Sequence, residues 1–270
     1  MIPNILSIAG SDPSGGAGIQ ADIKSISANG GYAMAAITGL TVQNTMGVRA
    51  AQMVSPEFVA EQIRAVFDDI AVDAVKIGML GTATITDVVA SALRAHSVPI
   101  VVDTVMVAKG GDRLLARDAV GALRDRLVPL ATVITPNLPE AADLLEQTEA
   151  TSRAEMIAQA QALLELGPRT VFLKGGHLGG QDSPDLLLSD AGHLWIDAPR
   201  VATVNTHGTG CTLSSALATQ LALSGDLTKA AQAAKTFTRR AIVAADGLNV
   251  GHGHGPTDAF FAARHPHSNP

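Results

Sequence analysis

Short apolar runs alternate with longer amphipathic segments along most of this 270-residue chain. The apolar runs are almost continuously hydrophobic, which is typical of strands that are covered on both faces of a sheet. Between them, apolar residues recur at spacings of three and four, as on one face of a helix. The alternation predicts an α/β fold in which a parallel sheet has right-handed crossovers and helices on both faces. We expect strands at 4–10, 33–40, 74–80, 99–105, 131–137 and 169–176.

A different pattern occupies residues 185–199, where two short apolar runs flank a polar segment that contains glycine. This arrangement predicts a β-hairpin. No linker, low-complexity tract or internal repeat divides the chain, so we predict one domain over residues 1–270. The segment from about 265 to 270 lacks periodicity and is expected to be frayed.

The composition argues against several classes of protein. Apolar residues make up 47% of the chain and charged residues 16%, which favours a sizeable core over disorder. The net charge of −6, without a basic cluster, argues against nucleic-acid binding. No run reaches the roughly 18–20 apolar residues that span a bilayer, and one cysteine fits a reducing compartment. We therefore expect a cytoplasmic protein that binds neither nucleic acid nor membrane.

The segment Gly-Thr-Gly-Cys at residues 208–211 directly precedes a helical pattern. Its glycines permit backbone conformations that would be strained for other residues. Unpaired N–H groups at a helix N-terminus of this kind would point into one space and predict an anion site. The four residues of this turn are Gly208, Thr209, Gly210 and Cys211.

Three charged residues follow other predicted strands, at the sheet edge where parallel sheets bind ligands. Asp103 ends one apolar run, Glu140 follows a second, and Lys174 follows a third. The carboxylates could hold a hydrated Mg²⁺ ion near phosphates, and the lysine could pair with a phosphate as a point charge. Together with the anion-binding turn, these residues predict phosphoryl transfer.

The single cysteine, Cys211, has several readings on the sequence alone. Metal ligation is disfavoured because the chain has no second cysteine. The helix dipole would favour its thiolate, and a thiol nucleophile would need a partner such as His207, which is close in sequence. An ordinary residue in a phosphate-binding turn is the remaining reading.

Residues 10–22 follow the first strand and contain four glycines and two alanines. They fit neither the P-loop nor the dinucleotide fingerprint, which disfavours a dinucleotide-dependent oxidoreductase. A flexible junction between strand and helix and a close backbone approach to a small ligand are equally compatible with the spacing. In the second case Asp22 would reach into the cleft.

A set of motifs is more specific than any one of these features. Its members are GSDPSGGAGIQAD (10–22), TGLTVQNTMGV (38–48), KIGML (76–80), VVDTVMVAKGG (101–111), TPNLPEA (135–141), LKGGH (173–177), HGTGCTLSSALA (207–218) and GHGHGP (251–256). The set resembles the hydroxymethylpyrimidine/phosphomethylpyrimidine kinases of thiamine biosynthesis, members of the ribokinase-like superfamily, from about residue 4 to residue 256. One departure is GPTDAFF after residue 254, where the family often continues GP with a hydrophobic residue and then Asn-His.

The resemblance implies a three-layer α/β/α domain with a central, mostly parallel sheet. It implies a kinase that uses ATP and Mg²⁺ to phosphorylate 4-amino-5-hydroxymethyl-2-methylpyrimidine and then its monophosphate, often as a homodimer. Pyridoxal kinase activity on the same fold is the nearest alternative, and a non-catalytic pyrimidine-binding regulator is a second. If a lid orders on binding, the best candidate is the segment 105–115, which is rich in glycine and follows a strand.

The resemblance also implies roles for individual residues. Cys211 would lie near the substrate hydroxymethyl oxygen and act as a base, or assist one, while the amides of its turn hold the transferred phosphoryl group. Gln43 would read the aminopyrimidine, with Asp22 as a further polar contact. The remaining assignments are Met79, Val42 and Gly10 for the ring pocket, Asp103 and Glu140 for magnesium and the phosphates, and Asn137 and Lys174 for the nucleotide.

Overall fold

The computed structural model describes residues 1–106 and 117–264. Nine strands in this part of the chain form one sheet, in the order β3-β2-β1-β4-β5-β6-β7-β8-β9. The strands are β1 (Asn4–Ser11), β2 (Tyr32–Asn44), β3 (Gly47–Met53), β4 (Ala74–Ile77), β5 (Ile100–Val102), β6 (Val133–Ile134), β7 (Thr170–Lys174), β8 (Asp185–Ser189) and β9 (Gly192–Ile196).

The helices of the described residues connect these strands and continue beyond the last one. Their bounds are α1 (Gly18–Ala28), α2 (Pro56–Asp69), α3 (Ala83–Leu93), α4 (Arg117–Ala122), α5 (Leu138–Leu145), α6 (Arg153–Leu164), α7 (Thr209–Ser224), α8 (Leu227–Ala244) and α9 (Phe261–Arg264). None of them is both long and apolar enough to cross a membrane.

The middle of the sheet is parallel, from β2 through β1, β4, β5 and β6 to β7. Antiparallel strands extend it at both sides, with β3 beside β2 and the hairpin β8–β9 beside β7. The predicted α/β fold, its mostly parallel sheet and the 185–199 hairpin are confirmed. Strand β3 was not predicted, because its sequence GVRAAQM contains no apolar run and most of its residues are exposed.

Two apolar cores lie on opposite faces of the sheet, which gives the three layers. Alternate strand residues point to opposite faces, so Leu6 and Val75 belong to the core beneath α2, α3, α5 and α6. Their neighbours Ile5 and Ala74 belong to the core beneath α1, α7 and α8. Because α1 and α7 lie on this second face, their N-termini meet at the carboxyl ends of the central strands.

Two predictions concern residues that the structure does not describe. The candidate lid segment 105–115 lies outside the described residues except for Val105 and Met106. The tail predicted to be frayed, 265–270, also lies outside them.

Candidate active site

A cavity of about 650 Å³ opens at the carboxyl ends of the parallel strands. This is the edge at which open α/β sheets bind their ligands. Residues that follow β1, β4, β5, β6 and β7 line it together with the N-terminus of α7. Of the predicted site residues, those that line the cavity are Gly10, Gln43, Met79, Asp103, Asn137, Glu140, Lys174, Gly208, Thr209, Gly210 and Cys211.

The two remaining predicted residues, Val42 and Asp22, do not line the cavity. Val42 is 57% exposed, because β2 continues to Asn44 and the alternation of the strand turns Thr41 and Gln43 to the cavity instead. Asp22 is fully buried beneath the cavity, where both of its carboxylate oxygens bind the ammonium of Lys76. The expectations that Val42 lines the pocket and that Asp22 reaches into the cleft therefore need correction.

The end of the cavity nearest β2 combines an apolar surface with a carboxamide. Met79 packs so closely over Gly10 that a Cβ atom at position 10 would collide with the methionine methyl group. The Gln43 carboxamide lies 3.0 Å from Oγ1 of Thr41 and 3.5 Å from Nε2 of His207. A flat ring could therefore stack on Met79 while its edge meets the donor and acceptor of Gln43.

A buried contact between Asp12 and His207 joins the loop after β1 to the turn before α7. Nε2 of His207 lies 2.7 Å from Oδ2 of Asp12, and the same carboxylate accepts hydrogen bonds from the backbone N–H groups of Ser14 and Ala17. Burial would raise the pKa of Asp12, but the hydrogen bonds from His207 and Ser14 hold it below its usual value. His207 is thus the partner of Asp12, and no contact with Cys211 supports it as a base for the thiol.

The start of α7 forms the predicted anion-binding turn. Gly208 precedes the helix with a φ of 74° and offers no side-chain cap. A Cβ at this position would also collide with the carbonyl oxygen of Gly16, so both the φ angle and the space require glycine. The backbone N–H groups of Gly210 and Cys211 donate to no described residue. They are free to bind an anion in the cavity.

Cys211 does not have the thiolate that its place at a helix N-terminus predicts. Burial raises the pKa of this thiol to about 12, although Lys76 and a hydrogen bond from the backbone of Gly18 oppose the shift. Loss of hydration therefore outweighs the helix dipole. The thiol is neutral near pH 7.

Lys174 lies between the two carboxylates on the other side of the turn. Its Nζ is 3.1 Å from Oδ1 of Asp103 and 3.8 Å from Oε2 of Glu140. Burial alone would lower the pKa of Lys174, but the two carboxylates outweigh it and raise the pKa to about 12. Burial raises the pKa of Glu140 to about 7, against the effect of Lys174 and with a further contribution from Asp103.

Asn137 and Glu140 cap the helix α5 at the same edge. The side chain of Asn137 accepts from the backbone N–H of Glu140, and Oε2 of Glu140 accepts from the backbone N–H of Asn137, both at 2.8 Å. This capping box fixes Glu140 beside Lys174. Asn137 lines the cavity through the same turn.

The sequence analysis did not find several polar residues of the cavity. Lys235 and Asp185 form a buried ion pair of 2.7 Å at the far end, near Thr238, whose hydroxyl is buried and has no partner among the described residues. Lys76 could have been found, because a lysine inside the apolar run AVKIGML is unusual for a strand buried on both faces. Asp185, Lys235 and Thr238 carry no such signal in the sequence, since only the fold brings them together.

The comparisons with known proteins agree with this geometry. A sequence model described as phosphomethylpyrimidine kinase matches residues 12–258. The chain belongs to the phosphomethylpyrimidine kinase family. Within this family, the hydroxymethylpyrimidine/phosphomethylpyrimidine kinase of Escherichia coli (strain K12) is 48% identical over 260 residues, which are 96% of this chain and 98% of that protein. That of Rhizobium meliloti (strain 1021) is 49% identical over 255 residues, 94% and 96% of the two chains.

Solved structures of this family and of pyridoxal kinases share the fold. The phosphomethylpyrimidine kinase of Clostridium difficile 630 has a TM-score of 0.79 and 40% identity, and the match covers 89% of this chain and 99% of that one. An ADP complex of Bacillus subtilis pyridoxal kinase has a TM-score of 0.89 and 35% identity, with 98% and 99% covered. The resemblance drawn from the motifs is confirmed, as are the ribokinase-like fold and the assignment of the chain as a phosphotransferase.

Proposed function

We propose that this chain uses ATP to phosphorylate 4-amino-5-hydroxymethyl-2-methylpyrimidine and then its monophosphate, for thiamine biosynthesis. The observation that carries the proposal is the position of the anion turn within one cavity. The free amides of Gly210 and Cys211 line the same cavity as the ring pocket at Gln43 and Met79, and a Cβ at Gly210 would lie 3.4 Å from Nζ of Lys174. An acceptor hydroxyl and a donor phosphate can therefore meet at this turn.

The ring pocket supports an aminopyrimidine as the acceptor. The carboxamide of Gln43 can accept from the exocyclic amine and donate to the adjacent ring nitrogen. Met79 supplies an apolar surface for one face of the ring, and Gly10 leaves room for the methionine side chain. Pyridoxal kinase activity is the second candidate, because solved pyridoxal kinases have the same fold and one of them is described in complex with an ATP analogue and pyridoxal.

The transfer is a displacement at the γ-phosphorus of ATP. The hydroxymethyl oxygen forms the new O–P bond while the bond from phosphorus to the β–γ bridging oxygen breaks, and its electron pair leaves with ADP. The amides of Gly210 and Cys211 and the ammonium of Lys174 stabilise the charge on the transferred group.

The neutral thiol of Cys211 is placed to orient the acceptor hydroxyl by a hydrogen bond. A loose phosphoryl-transfer transition state needs little activation of the nucleophile, so the hydroxyl proton leaves late, to an oxygen of the transferred phosphoryl group or to water. Cys211 takes this proton only in the fraction of molecules that carry a thiolate. This role is weaker than that of the base, or of the assistant to a base, that the family resemblance implied for Cys211.

The residues of the charged end are compatible with Mg²⁺. No group of three or more His, Cys, Asp or Glu side chains in the described parts of the chain could hold a metal by itself. Mg²⁺ usually binds one or two carboxylates together with substrate phosphates and water, and Asp103 and Glu140 supply such a pair. When bound, Mg²⁺ would offset the charge of the ATP phosphates. Glu140 would be held for this role by its capping box with Asn137.

A coupled assay of ATP consumption tests the proposal. Purified protein is given the hydroxymethylpyrimidine, its monophosphate or pyridoxal, each over a range of concentrations. We expect turnover of both pyrimidines and a much lower kcat/KM for pyridoxal. A preference for pyridoxal would favour the second candidate, and no turnover of any acceptor would favour a regulator.

A homodimer and a cytoplasmic location stay predictions from the sequence.

A further inference from the structure

A fully buried ion pair lies directly beneath the anion turn. Nζ of Lys76, from β4, is 2.8 Å and 2.9 Å from the two carboxylate oxygens of Asp22, from α1. Neither side chain is exposed to solvent. The Asp22 carboxylate also accepts hydrogen bonds from the hydroxyl groups of Ser7 at 2.6 Å and Ser215 at 2.8 Å. The carboxylate is therefore fully satisfied.

The helices α1 and α7 fix this pair one turn below Cys211. The hydroxyl of Ser215, on α7, donates to the carboxylate of Asp22, on α1. Gly18 and Asp22 are four residues apart on α1, and Cys211 and Ser215 are four residues apart on α7. Residues at this spacing lie on one face of a helix, about 5–6 Å apart. Cys211 therefore lies one helical turn above the contact between Ser215 and Asp22.

Lys76 retains one N–H group that Asp22 does not use. An ammonium has three N–H donors. Among the described residues, the ammonium of Lys76 donates only to the two carboxylate oxygens of Asp22, so one donor remains. Lys76 also lines the cavity, together with Cys211. A Cβ at Gly78 would lie only 2.8 Å from Nζ of Lys76, so the glycine leaves room for the ammonium.

Stability alone gives a weak reason for this arrangement. Removing two charges from water costs several kcal/mol each, and a buried ion pair often stabilises a fold no better than apolar residues of the same size. An interaction of this ion pair with the reacting groups above it gives a stronger reason for the arrangement. The charged groups around the thiol are Lys76 from β4, Asp22 from α1, Asp103 after β5 and Lys174 from β7.

We propose that Lys76 is a positioning residue for phosphoryl transfer: anchored by Asp22, its ammonium favours negative charge on the sulfur of Cys211 and on the acceptor oxygen beside it. The part of this inference that concerns the acceptor oxygen rests on the proposed function, whereas the part that concerns the sulfur does not. Among the charges near Cys211, Lys76 is the one that most opposes the rise of its pKa. Asp22 acts in the opposite direction.

The test uses the single cysteine of the chain as its own probe. The rate of alkylation by iodoacetamide is measured between pH 7 and 10 in the wild type, Lys76→Met, Asp22→Asn and Lys229→Met, with folding checked by circular dichroism. Below the pKa of the thiol, this rate is proportional to the thiolate fraction. A shift of one pKa unit therefore changes it about tenfold.

We expect opposite effects from the two partners of the pair. Lys76→Met slows alkylation about tenfold or more, whereas Asp22→Asn accelerates it, and the exposed Lys229→Met leaves it unchanged. If the pair were only structural, both substitutions would loosen the interface and accelerate alkylation. Acceleration in Lys76→Met, or an unchanged rate, would overturn the proposal.

Kinetics give a second, independent measurement. Lys76→Met should lower kcat about 100-fold while the KM for ATP changes less than about threefold, as for a residue that acts mainly in the transition state. If this variant does not fold, Lys76→Met/Asp22→Asn removes both charges, and it should fold with a loss of kcat that is smaller than about 100-fold, because loss of the Asp22 charge offsets part of the effect. Wild-type kcat in the folded double variant would overturn the proposal. A wild-type enzyme without any kinase activity would contradict the proposed function, and the alkylation rates would still decide the role of Lys76.

Discussion

The ammonium of Lys174 lies 3.1 Å from Oδ1 of Asp103, so the lysine best placed to bind a phosphate already has a carboxylate partner. Glu140 lies on its other side, with Oε2 at 3.8 Å. The two carboxylates hold Lys174 at the edge of the anion turn before any nucleotide binds. A phosphate could then take the place of one of these partners.

Substitution of Lys174 should therefore weaken nucleotide binding. Lys174→Met removes a charge-assisted hydrogen bond worth about 1.5–3 kcal/mol, so we expect the KM for ATP to rise about 10-fold to 100-fold and kcat to fall. Steady-state kinetics at a saturating pyrimidine concentration measure this. The exposed Lys229→Met serves as the control. An unchanged KM for ATP would mean that Lys174 only balances the charge of Asp103.

Filling the space at Gly210 should block the transfer without harming the fold. A Cβ there would lie 3.3 Å from Oδ2 of Asp103 and 3.4 Å from Nζ of Lys174, so it would occupy the gap between the turn and this ion pair. We expect Gly210→Ala to lower kcat about 10-fold to 100-fold, since alanine suits the helix but crowds the phosphoryl group. Gly121→Ala, where a Cβ meets nothing, is the matched control. Wild-type kcat in Gly210→Ala would contradict the proposed position of the phosphoryl group.

Loss of the Gln43 carboxamide should affect the pyrimidine far more than ATP. Gln43→Ala removes two hydrogen bonds to the ring, so we expect the KM for the hydroxymethylpyrimidine to rise about 10-fold or more at about 1 kcal/mol for each bond. The KM for ATP should change little. Gln52→Ala, on the exposed strand β3, is the control. Equal effects on both KM values would mean that Gln43 is structural.

The buried carboxyl of Glu140 should make the metal-free protein less stable as the pH rises. Its pKa is raised from 4.5 to about 7, so between these values the folded state binds more protons than the unfolded state. This contribution is present below about pH 4.5 and is lost as the pH approaches 7. It amounts to on the order of 2–3 kcal/mol.

Glu140→Gln tests this titration and keeps the capping box, because glutamine fills the same helix position. Urea unfolding without Mg²⁺ should show a smaller loss of stability between pH 4.5 and 7 in this variant than in the wild type. The control is Glu155→Gln, at the equivalent position of α6, where the pKa of the carboxyl is lowered. Identical pH dependence in Glu140→Gln and the wild type would contradict the raised pKa.

The sequence predicted the features that depend on neighbouring residues. The strand–helix alternation and the glycine turn before α7 are local patterns, and the motifs identified the family. Val42 was assigned to the wrong face because the exact extent of β2 sets which residues of the strand face the cavity. A shift of one residue exchanges the two faces.

Interactions between distant residues could not be predicted in the same way. Asp22 and Lys76 are 54 positions apart, and Lys174 and Asp103 are 71 apart. Only the order of the strands brings each pair together. The thiol of Cys211 illustrates the same limit, because its burial outweighs the local helix dipole.

The measurement that tests the central claim most directly is a ³¹P NMR time course of the purified protein with ATP, Mg²⁺ and the hydroxymethylpyrimidine. We predict that a phosphomonoester resonance appears as ADP forms, and that resonances of a pyrimidine diphosphate then replace it. ADP formation without any phosphorus signal on the pyrimidine would contradict the account. So would the absence of ATP turnover with this acceptor alongside rapid turnover with pyridoxal.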